Sequence, residues 1–236
     1  MSEWKQKRFW SDAAAVEAEG GFAIHLDGRA VKTPAKTSLV VPALALAQGI
    51  ADEWCAQEEV VDPLSMPLTR SANAAIDKVA AQFDEVAELI AAYGESDLIC
   101  YRAPDPAGLV ARQSEAWDPL MTWSADTLSA PLNAGAGVMH LAQPEASVAV
   151  LAERVRGLDP FALTALHDLV SLSGSLVIGF AALEDAWPIE TLWTASRIDE
   201  QWQTDQWGED EEAERFASER AQGFKTAHRF YRLSRS

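Results

Sequence analysis

The sequence predicts an α+β fold: a small mixed α/β N-terminal domain with antiparallel strands over residues 1–85, then an all-α helical domain over 86–236. Three observations carry this. Two alternating apolar–polar runs meet at Asp27-Gly28, the strongest short-range hairpin signal. From residue 71 the apolar period lengthens to that of a helix. Beyond it, helical runs follow one another with a single long irregular break, Pro131 to Pro144, which contains Gly135 and Gly137. No repeat or low-complexity linker divides the halves, so the boundary is soft.

The elements follow in order. Phe22 to Leu26 and Arg29 to Thr33 are the two arms of the hairpin, Gly20-Gly21 turns back an earlier strand around Ala15 to Glu19, and Leu39-Val40-Val41 adds a short strand after Pro34. Pro42 opens a helix through about Gln57, with Leu44, Ala47 or Gln48, Ile50 or Ala51, and Trp54 at helix spacing. Ile76, Val79, Phe83, Val86, Ile90 and Tyr93 recur at steps of three and four, which predicts one amphipathic helix capped near Ser71 and ended by Gly94. Further helices are expected at 108–128, 144–156, 160–171, 174–185, 188–206 and 209–232. The fifteen uncharged residues 169–183 are too few for the ~20 that a bilayer requires, so they read as buried helix and no membrane insertion is expected.

Composition narrows the function. With 36 acidic and 19 basic residues the chain carries a net charge of −17, which argues against nucleic acid and anionic membrane as partners. A chain of this length buries about 70 to 75% of its extended surface and needs no staple, and two cysteines suit a reducing compartment. The start, MSEWKQKRFW, lacks the apolar run of a signal peptide. Catalytic signatures are missing as well. There is no GxxxxGK[ST] loop, no HExxH and no GxSxG, Gly135-x-Gly137 lacks the third glycine of a dinucleotide fingerprint, and Cys55 and Cys100 have no CxxC partner. His167-Asp168 lies in a leucine-rich helix and reads as a partly buried histidine. No cofactor or metal is expected.

The C-terminal region stands out. Residues 199–219 hold nine acids against Arg215 alone, and 220–236 hold five bases and no acid. A helix starting after Gly208 explains Glu209 to Glu214 through the macrodipole. That explanation does not reach Asp199, Glu200 or Asp205. Nine tryptophans in 236 residues is the second oddity, with Trp187, Trp193, Trp202 and Trp207 in the same region as the acids. Amphipathic aromatics beside charges are ingredients of a protein interface, and equally of a packed bundle.

An ordered series of motifs runs through the chain: GRAVKTP from Gly28, Glu53-Trp54, Met66-Pro67-Leu68-Thr69-Arg70 with Ala72-Asn73 and Ala75-Ile76-Asp77, then Ser96 to Arg102, Trp117-Asp118-Pro119, Ala195 to Glu200, Gln203 and Trp207-Gly208. From about Arg8 to about Leu233 the sequence resembles the assembly chaperone that binds the α subunit of the catalytic head of F-type ATP synthase, a family of mitochondria and α-proteobacteria. Cys55, where an acid is expected, and Ser71, where a larger apolar residue is usual, depart from the pattern.

The resemblance implies a non-enzymatic, ATP-independent chaperone that holds the free α subunit soluble until it pairs with β. It also implies a mixed N-terminal and a helical C-terminal domain. An unpartnered α subunit exposes a large apolar interface prone to wrong association, and a holder must cover it reversibly. Acids around an apolar helical surface would speed encounter and discourage self-association, so a monomer is expected when free. That places Asp199, Glu200, Gln203, Trp207, Glu209, Asp210 and Glu212 in the candidate partner-binding surface. Trp54 and Arg70, with Asn73, Asp77 and Tyr101 of the same motifs, are assigned to structure. A Met1 start without transit segment points to a bacterial cytoplasm, or to the mitochondrial matrix if the chain is a processed form. The alternative is a small-molecule or metal-dependent hydrolase using Asp205, Glu209 and Glu212; a scaffold with no particular client differs from the first reading only in partner choice.

Overall fold

The computed structural model describes residues 7–208 and 211–236. The first strands are β1 (Ala13–Ala18) and β2 (Gly21–Leu26), paired antiparallel from Ala13↔Leu26 to Ala18↔Gly21. Asp27 and Gly28 turn the chain at φ of 46° and 79°, the two positive values that a hairpin turn of this hand demands. The return strand is shorter than the alternation suggests. β3 (Arg29–Ala30) and β4 (Val40–Val41) pair with successive parts of the same edge of β2. At Gly21 a Cβ would stand 2.2 Å from the Val41 carbonyl oxygen, so the approach of β4 requires glycine there.

Helix α1 (Leu44–Cys55) begins two residues later than expected, with Ala43 as its N-cap and Pro42 just outside. It packs on β1 and β2 through Leu46, Ala47 and Ile50, all buried with Ile24 and Val41. The single helix expected over 71–93 is interrupted. Helix α2 (Pro67–Ala74) runs into a π-helical turn, Ala75–Val79, where the Ala80 amide bonds the Ala75 carbonyl; helix α3 (Phe83–Ala91) follows after a turn. The extra residue in the π turn rotates the buried side. Ala72, Ala75 and Val79 are buried before it and Ala87 and Ile90 after it, whereas Ile76, Phe83 and Val86 are only half-buried.

Helices α4 (Ala107–Asp126), α5 (Glu145–Arg156), α6 (Pro160–Ser173), α7 (Leu176–Leu183), α8 (Ile189–Ala195), α9 (Ile198–Trp207) and α10 (Glu211–Ser234) complete the chain. Two features differ from the expectation of helix alone. Strands β5 (Tyr101–Arg102) and β6 (Gly135–Ala136) form a short parallel pair, and the helix expected over 188–206 breaks at Ser196-Arg197. Ser196 ends α8 by turning its hydroxyl onto the Trp193 carbonyl at 2.7 Å, an alternative partner that competes with the helical ladder. The stretch 169–183 contains the end of α6 and all of α7; every residue of α7 is buried, whereas Ser171 at the end of α6 is exposed.

The chain forms two compact units. The first takes residues up to Phe83 together with Asp159–Ala165 and Arg229–Ser236; the second takes Asp84–Leu158 and Leu166–His228. In the first, Trp10, Ala13, Leu26 and Ala51 are buried beneath Val31, Trp54 and Val61, beside the strand-and-α1 core. In the second, Trp117 is fully buried with Leu120, Leu151, Val155, Leu166, Leu169 and the whole of α7.

Candidate functional site: the acidic α9–α10 region

Helix α9 buries only Ile198 and is otherwise a polar helix lying against α4. Its inner side is held by specific bonds. Gln113 donates to the Asp199 carboxylate at 2.6 Å, Arg112 reaches Asp205 at 2.6 Å, and the Arg112 guanidinium stands 4.8 Å from the centre of the Trp202 ring. Gln201 adds a second donor to Asp205 at 3.1 Å, and these two hydrogen bonds, that from Arg112 foremost, hold its carboxyl below the usual range. Asp199 and Asp205 therefore fasten α9 to α4.

The outer side is exposed. Glu200 is exposed and pairs with Arg197 one turn earlier, while Arg197 itself lies over the Trp193 ring at 5.5 Å. Gln203 is exposed. Trp207, the last residue of α9, is 80% exposed. Every residue from Glu211 to Arg220 is exposed, Phe216 among them, with Glu212 3.9 Å from Arg215. Glu209 and Asp210 lie outside the described residues.

The four tryptophans of this region divide three to one. Trp187 meets Trp123 edge-on with centroids 5.9 Å apart, Trp193 packs on Phe224 at 5.5 Å, and Trp202 fills the space above Gly108 and carries Arg112. Trp207 alone of the four stands in solvent. Spacing could not separate them, since which ring is covered depends on α4 and α10, far away in the sequence.

Sequence reasoning also missed a cavity of about 400 Å³ beside the first turn of α9. Pro119, Leu120, Trp187, Leu192 and Ile198 make it apolar, and Glu115 and Glu190 stand on its lining. No local signal marks it, because it forms only when α4 meets α8.

The residues assigned to structure sit as follows. Trp54 packs edge-on against Trp10 at 5.1 Å, and the Trp10 indole N–H donates to the Trp54 carbonyl at 3.2 Å. Among the described residues the buried Trp54 indole nitrogen has no hydrogen-bond partner, and neither has Oδ1 of Asn73. Asp77 accepts the Thr33 hydroxyl at 2.6 Å and the Ala35 amide at 3.0 Å, so it clamps the loop between β3 and β4. The Tyr101 hydroxyl accepts the Leu141 amide at 3.4 Å. Arg70 is exposed, and its guanidinium makes no hydrogen bond or ion pair among the described residues. His167 bonds Asp168 at 2.9 Å, and that hydrogen bond lifts the imidazole above its ordinary range.

Comparison with known proteins agrees over most of the chain. The profile of the ATP12 chaperone protein family matches residues 7–125. The structure is similar to the crystal structure of Atp12 from Paracoccus denitrificans, with a TM-score of 0.95 and 48% identity over 98% of this chain and 100% of that one. A mutant of the P. denitrificans protein superposes equally well, at TM-score 0.95 and 48% identity, covering 99% of this chain and 100% of the other. The mitochondrial protein atp12 of Schizosaccharomyces pombe is 27% identical over 227 residues, 90% of this chain and 77% of the relative. The chain belongs to the ATP12 chaperone family, a family of ATP synthase assembly chaperones.

Proposed function

We propose that the protein holds the free α subunit of the ATP synthase catalytic head, without nucleotide hydrolysis, and meets it through the outer side of α9 and the exposed start of α10. The observation that carries this reading is the 80% exposure of Trp207 at the end of a helix whose inner side is already occupied by α4. A large exposed aromatic bordered by acids costs solubility unless something covers it, and it is the residue type that most often anchors an interface. Glu200, Gln203 and Glu212 lie on the same exposed stretch and suit a partner that carries basic residues around an apolar patch. Glu209 and Asp210 add to that charge in the sequence. The cavity beside Ile198 offers room for one apolar side chain of the same partner.

The test is co-purification of the tagged chain with α subunit alone, with β alone, and with the two together, alongside an assay of ATP turnover. Capture of free α, weaker capture once β is present, and no turnover are expected. Equal capture of α and β, or ATP turnover removed by a point change in this chain, overturns the reading.

A further inference from the structure

The cations of this protein are unevenly held. Every lysine and arginine of the second unit is bonded to a carboxylate or a carbonyl: Arg102, Arg112, Arg154, Arg156, Arg197 and Arg215 to acids, Lys225 to Glu190 and Arg220 to the Leu172 carbonyl. In the first unit, Arg29, Lys32, Lys36, Arg70 and Lys78 are all exposed, and none has a hydrogen bond or ion pair from its side chain among the described residues. Arg29, Lys32 and Lys36 belong to the segment 28–51 and Arg70 to 63–76, and neither segment contains an acid. Asp77, next to Lys78 in the chain, ties itself to the first segment by receiving Thr33 and Ala35, the chain neighbours of Lys32 and Lys36; in doing so it spends both carboxylate oxygens on the loop.

The loop is also held in one shape. The Thr33 amide bonds the Thr37 carbonyl, the Lys36 amide bonds the Thr33 carbonyl, and Lys32 bridges Ser38. Lys36 at its tip has φ of 70°, a conformation that side chains other than glycine, asparagine and aspartate rarely adopt. A lysine kept there is presented from a fixed backbone, so the loop itself needs no ordering on binding.

We propose that this basic face binds an acidic segment of the client α subunit, a second contact on a different unit from the acidic α9–α10 region. The inference rests on the client reading above. The charge of the whole chain selects the kind of partner. A net −17 repels extended polyanions such as nucleic acid or an anionic bilayer. Around the tie made by Asp77, Lys32, Lys36 and Lys78 carry no side-chain partner among the described residues while the Asp77 carboxylate is taken up by the loop, so a short acidic stretch on a protein is the occupant they suit.

The experiment measures capture of purified α subunit by the full chain at two salt concentrations, for the parent and for Arg29→Glu, Lys32→Glu, Lys78→Glu combined. The expected result is at least tenfold weaker capture by the variant at low salt, a flatter salt dependence and an unchanged melting transition. Should the triple change disturb folding, Lys36→Asn with Arg70→Gln supplies the same comparison, because asparagine tolerates the φ at position 36. Parent-like capture and salt slope in a folded variant overturn this proposal and leave the client reading standing, whereas no capture by the parent removes both. Binding of parent to duplex DNA or to phosphatidylserine vesicles that the variant loses, while α capture is unchanged, also overturns it.

Discussion

The Glu53 carboxylate on α1 closes the N-terminus of α2: it accepts the Leu68 amide at 2.7 Å, the Thr69 amide at 2.8 Å and the Thr69 hydroxyl at 2.7 Å. Met66, at the N-cap position, offers no side-chain acceptor, so the acid that complements the helix dipole comes from a neighbouring helix instead. Burial raises the Glu53 carboxyl and these three bonds pull it back down. Glu53→Ala leaves two backbone donors without their acceptor and is expected to cost about 2 to 3 kcal/mol. Glu53→Gln keeps one acceptor oxygen and is expected to cost less. Urea unfolding of both variants checks this; equal stability of Glu53→Ala and the parent would remove Glu53 from the cap.

Asp97 supplies the corresponding brace in the second unit. It is fully buried and accepts the Ile99 amide at 3.2 Å and the Val177 amide, eighty residues away, at 3.0 Å. Burial pushes its carboxyl up to about 6, against 3.8 when free, despite those bonds. A group whose folded value is raised holds its proton more tightly in the native state, so its contribution to stability is full below about pH 4 and is lost as pH rises through 6. Two units correspond to roughly 3 kcal/mol. Asp97→Asn cannot ionise and lacks this slope. Between pH 4.5 and 7.5 the parent is expected to lose roughly 2 kcal/mol more unfolding free energy than the variant, and parallel profiles would show that Asp97 does not titrate in this window.

Trp54 covers the Trp10, Ala13, Leu26 and Ala51 cluster and takes the Trp10 hydrogen bond on its own carbonyl. Trp54→Arg replaces a ring in edge contact with Trp10 by a charge at a half-buried position. The expected cost is about 3 kcal/mol, the low end for a large aromatic because the site is not fully closed. Circular dichroism melting checks it, and a parent-like transition would mean that the ring contributes nothing to the core.

These braces explain which parts of the molecule were legible beforehand. The hairpin at Asp27-Gly28 and the ends of α4, α5 and α6 rest on local signals, turn chemistry and apolar spacing, so they were readable to within a few residues. The π turn at Ala75–Val79 was not, because a spacing of three and four does not report an inserted residue. Nor were the β5–β6 pair or the cavity beside Ile198, which join segments far apart in the sequence. The family motifs divide in the same way. Glu53, Asp77 and Asp97 hold backbone amides in place, which gives physical content to Glu-Trp, AID and SDLICYR as architecture. Of the acids near the C-terminus, the residue types alone could not separate Asp199 and Asp205, tied to α4, from Glu200 on the outer side.

Glu200 and Asp199 therefore make different predictions although they are neighbours. Asp199 is half-buried and serves Gln113, so Asp199→Lys breaks a bond within the unit and sets a cation against α4; a loss of stability of about 1 to 3 kcal/mol is expected, with any loss of holding secondary to it. Glu200 is exposed, and among the described residues its carboxylate pairs with Arg197 on the same helix. Glu200→Lys replaces that pair by two like charges one turn apart, a cost of about 0.5 kcal/mol or a little more, with the melting transition otherwise kept. Against the client the order reverses: losing an acid that faces a desolvated basic group costs about 2 kcal/mol or more of binding, and a rim contact much less. Trp207→Ala completes the comparison, because a side chain already 80% exposed in the free protein is not needed for folding and its removal is expected to lower α-subunit capture without shifting the melt. Paired melting and α-holding assays on the three variants decide the matter. If Glu200→Lys and Trp207→Ala hold α subunit as the parent does, the outer side of α9 is not the client surface; if only Asp199→Lys is impaired, and in proportion to its lost stability, the acids of this region serve the fold alone.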